Sequence, residues 1–206
     1  MRHPVVRAKV GHFLDKQLPV RGIVHVGAND GEEIPYYVSQ GLTPILAFEP
    51  HPYAFAELEA AYGEFAECHQ VALGAMNGSA VLHVPLWEGE PSSKGSSLLP
   101  MATGLSALPE AARFEVRVER FDQWMFGCDL TPYNILVVDV QGMELDVLKG
   151  FGDCLDGFDY LCVECSAVPM YEGEASAQEV VDWLAERGFR QDSPIEPHND
   201  LFFLRP

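Results

Sequence analysis

The sequence predicts an α/β fold: a mostly parallel sheet of short buried strands with helices between them. Three observations lead to it. Residues 21–50 read as strand, glycine turn, helix, strand. Residues 133–150, YNILVVDVQGMELDVLKG, repeat the order of strand, acid, glycine turn and helix. Elsewhere, short apolar runs rich in β-branched residues alternate with stretches of helical spacing, the mark of strands covered on both faces.

Residues 1–20 are expected to hold one short helix, with Arg2, Arg7, Lys9, Lys16 and Arg21 on a solvated face. Ile23, Val24 and Val26 form the first strand. Gly27-Ala28-Asn29-Asp30-Gly31 ends it, and two glycines and a small residue let the backbone turn sharply and a ligand come close. Glu32 and Glu33 suit the first turn of a helix that ends near Gly41. Ile45 to Phe48 is the second strand, closed by Glu49 and Pro50. An acid about 20 residues beyond a glycine turn stands where a ribose diol is recognised.

Residues 52–62 carry Phe55, Leu58 and Tyr62 at helical spacing, a helix that packs on the sheet. Residues 67–73 are expected as one strand, with Ala72 near its carboxyl end. Residues 79–86 and 113–121 alternate in polarity and are expected to pair as an inserted antiparallel hairpin. Residues 86–112, rich in Gly, Ser and Pro, are a candidate lid or substrate loop. Residues 122–126 suit a helical turn.

Ile135 to Val138 is a fully buried strand by composition. Asp139 ends it, where open α/β sheets bind ligands. Gly142 permits a turn, and Glu144 opens a helix, either as a catalytic acid or as the charge that complements the helix N-terminus. Residues 160–165 form another buried strand with an unexpected charge, Glu164, inside it. Cys162 and Cys165 spell C-x-x-C, but on a strand they point to opposite faces, which favours buried thiols over a shared metal or disulfide. Residues 175–188 form an amphipathic helix stopped by Gly188, and residues 201–204 the last strand, preceded by His198.

The 206 residues suffice for a single domain with a sizeable core. Thirteen Lys and Arg against 31 Asp and Glu give a formal charge of −18, which argues against nucleic acid or an anionic membrane as partner. No apolar run reaches the length of a membrane span, and a signal-peptide core is lacking. Five cysteines are an odd number in a domain too large to need disulfides. A cytoplasmic protein acting on a small-molecule substrate fits all of this.

The glycine turn also speaks to its ligand. A pyrophosphate cradle wants bare amides, whereas Asp30, Glu32 and Glu33 crowd this turn and the third glycine of G-x-G-x-x-G is missing. These acids repel phosphates and suit a cationic ligand that still carries a ribose. S-adenosylmethionine, a sulfonium without phosphate, is such a ligand.

These stretches together resemble the FkbM family of S-adenosylmethionine-dependent methyltransferases. The resemblance rests on Gly27-Ala28-Asn29-Asp30-Gly31, on Phe48-Glu49-Pro50, and on the segment Val137 to Gly150 with its Asp139-Val140-Gln141-Gly142-Met143-Glu144 core. The chain departs from the family pattern at His25, at Val137 or Val138 where a lysine is usual, and at Gln141 where a glutamate is usual. The resemblance implies a class I methyltransferase fold (Rossmann-like): a seven-stranded sheet with its last strand antiparallel, here with an added hairpin and lid. It also implies methyl transfer to a hydroxyl of a sugar, polyketide or other small metabolite. Gly27, Ala28 and Asn29 are then expected to hold the methionyl end, with Glu33 among the acids nearby. Glu49 is expected at the ribose, and Pro50 and Ala72 beside the adenine. Asp139 is the first candidate for the base and a neighbour of the cofactor; His198 and Glu144 are the further catalytic candidates. No metal ligands are assigned; a divalent metal on the carboxylates Asp139, Glu144 and Glu164, lowering the hydroxyl's pKa, is the alternative to a base, though the three are scattered in sequence. The rival readings are a catalytically silent cofactor-binding module and an NAD-dependent oxidoreductase.

Overall fold

The computed structural model describes residues 9–102 and 108–206. The main-sheet strands are β1 (Gly22–Val26), β2 (Ile45–Phe48), β3 (Glu67–His69), β8 (Tyr133–Val138), β9 (Tyr160–Ser166), β10 (Arg190–Gln191) and β11 (His198–Leu204). Their order is β10-β11-β9-β8-β1-β2-β3. All neighbouring pairs from β3 to β9 are parallel, and β11 runs antiparallel to both β9 and β10. This is the seven-stranded sheet that the resemblance implied. Strands β4 (Ala72–Leu73), β5 (Gly78–Trp87), β6 (Glu90–Pro91) and β7 (Glu110–Glu119) form a second, smaller sheet. The hairpin of β5 and β7 is the expected inserted one, in antiparallel register from Gly78↔Val118 to Pro85↔Glu110.

Side chains alternate across the main sheet into two cores. Val24 and Val26, Leu136 and Val138, and Leu161 and Val163 point to one face. There they meet Phe121 of α4 (Phe121–Trp124), Val147 and Leu148 of α5 (Glu144–Gly150), and Val180 and Leu184 of α6 (Ala177–Ala185). Ile23, Ile135, Val137 and Cys162 point to the other, against Phe13 of α1 (Gly11–Asp15), Ile34 and Tyr37 of α2 (Ile34–Ser39), and Leu58 of α3 (Pro52–Tyr62). Each fully buried side chain of this size contributes about 1.5–3 kcal/mol. Covering both faces is why these strands read as continuous apolar runs. Cys162 and Cys165 lie in different cores, as their spacing on a strand requires.

One expected strand divides. Residues 67–73 do not form a single strand: β3 stays beside β2, whereas β4 turns away and pairs parallel with β7. The divergence has a packing cause, since Ala72 is buried with Leu82, Val116 and Val118 in the core of the hairpin sheet. Of the N-terminal helix, Gly11–Asp15 is helical. Arg2 and Arg7 lie outside the described residues, as does the part of the 86–112 loop at 103–107.

The ring of Phe151, fully buried, stacks on Phe121 with centroids 4.0 Å apart and meets Phe158 edge-on. Phe151→Ala is expected to cost about 3–5 kcal/mol through lost burial and a residual cavity. Chemical denaturation, comparing midpoints at equal slope, reads that loss.

Candidate active site

At the carboxyl ends of β1, β2, β8 and β9 lies a cavity of about 840 Å³. Its floor is set by a close backbone approach. The Asp139 N–H donates to the Val26 carbonyl at 2.9 Å, tying the turn after β8 to the end of β1. A Cβ at Gly27, where φ is +83°, would fall 1.7 Å from the Asp139 carbonyl oxygen. Only glycine permits this crossing.

The turn after β1 then meets the end of β2. The Asn29 N–H donates to Glu49 Oε2 at 2.8 Å, and the His51 N–H to Oε1 at 2.7 Å. Burial pushes the Glu49 carboxyl up to about 7. The buried Oδ1 of Asn29 has no hydrogen-bond partner among the described residues. Gly27, Ala28, Asn29, Glu33, Glu49, Pro50, Ala72 and Asp139 all line the cavity.

A second group of charges sits across the floor. Lys9 Nζ lies 2.6 Å from Asp139 Oδ2, 3.1 Å from Asp200 Oδ1 and 3.7 Å from Glu164 Oε1. Asp200 and Glu164 are register partners on β11 and β9. Burial works against the Asp139 charge, but the Lys9 ammonium together with side-chain hydrogen bonds to Glu164 and Gln141 outweighs it and holds the carboxyl down to about 2. Glu164 goes the other way: burial first, then the neighbouring Asp139, push it up to about 9. Lys9 is therefore not part of a solvated basic face. It turns into the cavity because three strand ends gather acids there. Nothing in the local pattern around Lys9 marks this, since its partners lie far along the chain.

Gln141, with φ at +57°, connects these acids to the roof. Its Nε2 donates to Asp139 Oδ1 at 2.7 Å and also to Glu164 Oε2. Its backbone carbonyl accepts from Ser97 Oγ at 2.6 Å, and its Oε1 lies 3.2 Å from the Tyr171 hydroxyl. The same hydroxyl reaches the Gly95 carbonyl at 3.1 Å. Lys94 reaches Glu32 at 2.9 Å from the same loop. The segment around Ser97 thus closes over the cavity and brings Trp87, Leu98 and Met101 to its wall. Ser97 falls within the 86–112 loop, whereas Tyr171 escaped sequence reasoning because it stands in no motif.

Glu144 does not line the cavity. Its carboxylate folds back to accept the Gly142 N–H at 3.0 Å and the Val140 N–H at 3.3 Å, capping the turn that shapes the floor. Burial pushes it up to about 7. His198 opens β11 opposite Ser166, and its side chain lies outside the described residues. Among the described residues, no group of three or more His, Cys, Asp and Glu is placed to hold a metal ion, and no helix is long and apolar enough to cross a membrane.

The family model of the methyltransferase FkbM domain matches residues 25–191, which run from the end of β1 through the hairpin and the turn after β8 to β10. The chain belongs to the FkbM methyltransferase family. The methyl donor of this family is S-adenosylmethionine. Among characterised relatives, the 2-O-methyltransferase NoeI of Sinorhizobium fredii (strain NBRC 101917 / NGR234) is 26% identical over 188 residues, covering 87% of this chain and 76% of NoeI. The fold matches solved class I methyltransferases. Magnesium protoporphyrin IX methyltransferase (ChlM) from Synechocystis PCC 6803, solved with bound SAM, aligns with a TM-score of 0.51 at 12% identity, covering 96% of this chain and 76% of that one. An rRNA methylase from Streptococcus thermophilus aligns with a TM-score of 0.50 at 12% identity, covering 100% and 98%.

The Lys9 cluster has a pH signature. The folded state holds Asp139 below its ordinary value, so this ion pair contributes stability above about pH 4 and loses it as pH falls through about 2. Lys9→Met leaves a buried carboxylate without its counter-ion and is expected to cost of order 3 kcal/mol near neutral pH. The difference from wild type should shrink on acidification, and thermal or denaturant melts across that range measure it.

Proposed function

We propose that the chain transfers a methyl group from S-adenosylmethionine to a hydroxyl oxygen of a small acceptor such as a sugar or polyketide-like metabolite. The observation that carries the cofactor half is Glu49. Its buried carboxylate is fixed by two backbone N–H groups, which leaves its outer lone pairs for a ribose diol. The rest of the pocket fits the same ligand. Gly27 and Ala28 line the cavity where the methionyl end would lie, and the orphaned Asn29 Oδ1 is an acceptor suited to its ammonium. Pro50 and Ala72 offer apolar flanks to adenine, and Glu33 adds negative charge beside a cationic ligand. Bound there, S-adenosylmethionine supplies an electrophilic methyl on sulfur.

The oxygen acceptor is supported by the likeness to NoeI, itself a 2-O-methyltransferase. Trp87, Leu98 and Met101 give the outer cavity an apolar wall, and Asp139 and Glu164 give its inner part groups that orient a hydroxyl. Much of the acceleration would come from holding that hydroxyl in line with the methyl group under the Ser97 segment, away from water. The acidic surface favours a small-molecule partner over nucleic acid.

Calorimetric titration with S-adenosylhomocysteine, beside NAD, tests the cofactor half. The wild type is expected to bind the former and not the latter. Glu49→Ala removes two charge-assisted hydrogen bonds of about 1.5 kcal/mol each, so binding should weaken about a hundredfold. Binding of NAD, or none of S-adenosylhomocysteine by folded protein, would overturn the reading. Transfer of labelled methyl to a panel of methyl glycosides and hydroxylated aromatics then separates an enzyme from a silent binding module.

A further inference from the structure

Methyl transfer to a small acceptor, on which this inference rests, needs room for that acceptor beside the cofactor. The cavity, about 840 Å³, is near the upper end of the roughly 300–1,000 Å³ common for ligand pockets. Gly27, Ala28, Asn29, Glu49 and Ala72 line the part that suits S-adenosylmethionine, which leaves the wall with Trp87 and Leu98 to the acceptor.

Trp87 differs from the other two tryptophans. The Trp124 ring meets Phe48 and His69 edge-on and has the Arg117 guanidinium over it at 5.5 Å. The Trp183 ring carries the Arg187 guanidinium at 3.5 Å. Among the described residues, no ring or guanidinium packs on the Trp87 indole, which is 56% exposed while it lines the cavity. Its mount is firm. Trp87 ends β5 and pairs with Glu90 of β6 across the tight turn Glu88-Gly89, where φ is +50° and +89°. On the same strand, His83 exchanges two backbone hydrogen bonds with Ser97 of the roof, at 2.8 and 3.1 Å, and the Leu86 N–H donates to the Pro109 carbonyl. An aromatic ring on so fixed a backbone gives up little freedom when a ligand covers it.

The surrounding charges narrow the ligand further. Both lysines that line the cavity are engaged by acids, Lys9 by Asp139 and Asp200, and Lys94 by Glu32. Glu88 and Glu90 flank the indole in sequence. An anionic group placed on this wall would meet acids rather than a free ammonium.

We propose that Trp87 determines acceptor specificity: its indole stacks on an uncharged six-membered ring of the acceptor that presents an apolar face, either an aryl ring or a second sugar. The hydroxyl to be methylated lies on the other end of the same molecule, directed inward to Asp139 and Glu164. The acceptor is then neutral and two-part, hydroxylated at its inner end and ring-faced at its outer end. Stacking on an aromatic side chain supplies affinity that does not depend on the reacting atoms.

The test loads wild type, Trp87→Ala and Trp87→Phe with S-adenosylhomocysteine. Each is titrated by calorimetry with hexosides that share one sugar and differ in the tail: methyl, phenyl, glucosyl or para-carboxyphenyl. Labelled methyl transfer to the same compounds gives KM and kcat. In wild type a phenyl or glucosyl tail should tighten binding about tenfold over methyl, and a carboxyphenyl tail should not. Trp87→Ala should erase that difference by raising KM with kcat unchanged, and Trp87→Phe should keep part of it. Both variants should bind S-adenosylhomocysteine within about twofold of wild type. A difference seen with only one of the two rings, and lost in Trp87→Ala, supports the proposal and says whether the ring is aryl or sugar. Wild type that tightens on neither ring overturns it, as does tightening on the carboxyphenyl tail equal to that on phenyl. So does a Trp87→Ala variant that keeps the difference, that loses S-adenosylhomocysteine binding in step with it, or that in sedimentation breaks up a wild-type dimer while acceptor binding stays unchanged. A folded wild type that binds no S-adenosylhomocysteine overturns the methyl-transfer reading itself, a result distinct from these.

Discussion

The site depends on how closely the chain after β8 crosses the end of β1. The two strands are paired in parallel register through Val26↔Val138, and the next residues, Gly27 and Asp139, continue that contact through backbone alone. A side chain at Gly27 would overlap the Asp139 carbonyl, so its absence fixes where the cavity floor lies. Everything chemical is placed relative to that crossing. The turn at Asn29 swings towards Glu49, and the turn at Gln141 swings towards Glu164 and the roof. The Glu144 carboxylate, folded under Gly142 and Val140, secures the second turn from below.

A parallel sheet of this order gathers its strand ends on one edge, and here those ends carry Glu49, Asp139 and Glu164. Unopposed, such acids would repel one another at a cost of several kcal/mol in a poorly hydrated cleft. Two devices keep the arrangement stable. Backbone N–H groups satisfy Glu49, and Lys9 places one ammonium with its three donors among Asp139, Glu164 and Asp200. The result is an asymmetric set, with Asp139 ionised and Glu164 inclined to hold a proton. Neighbouring carboxyls that differ in this way are the usual basis for dividing acid–base roles at one site.

The sheet was legible in the sequence because covered strands leave unmixed apolar runs, and Ile135 to Val138 or Ile45 to Phe48 need no partner to be recognised. The inserted hairpin was legible from alternation alone. The division of residues 67–73 was not, because the apolar run at Val71-Ala72-Leu73 suits either sheet, and only the packing of Leu82 and Val118 decides between them. The same contrast holds at the site. Gly27, Asn29, Glu49 and Asp139 stand at strand ends and in turns, where position carries meaning. Lys9 precedes a short helix in a basic stretch, and the carboxylate closest to its ammonium is 130 residues away along the chain. Tyr171 reaches Gly95 across 76 residues. Contacts of that span leave no local period to read.

Gln141 stands where the family more often has glutamate, and its surroundings give that departure a physical sense. Its amide nitrogen donates to two carboxyl groups at once, and its amide oxygen faces a tyrosine hydroxyl. An ionised glutamate would have no donor for either carboxyl and would add a fourth carboxyl beside Asp139, Glu164 and Asp200. It would be tolerated only by taking up a proton or by finding another cation. The amide therefore belongs with Lys9 as part of one arrangement: a single ammonium suffices for the acids because one of their neighbours is neutral. Since the backbone carbonyl of the same residue accepts from Ser97, the residue that links the two carboxyl groups of the floor also holds the roof over it. Closing the cavity and bridging its carboxyl groups are then parts of one local conformation at Gln141 rather than separate devices.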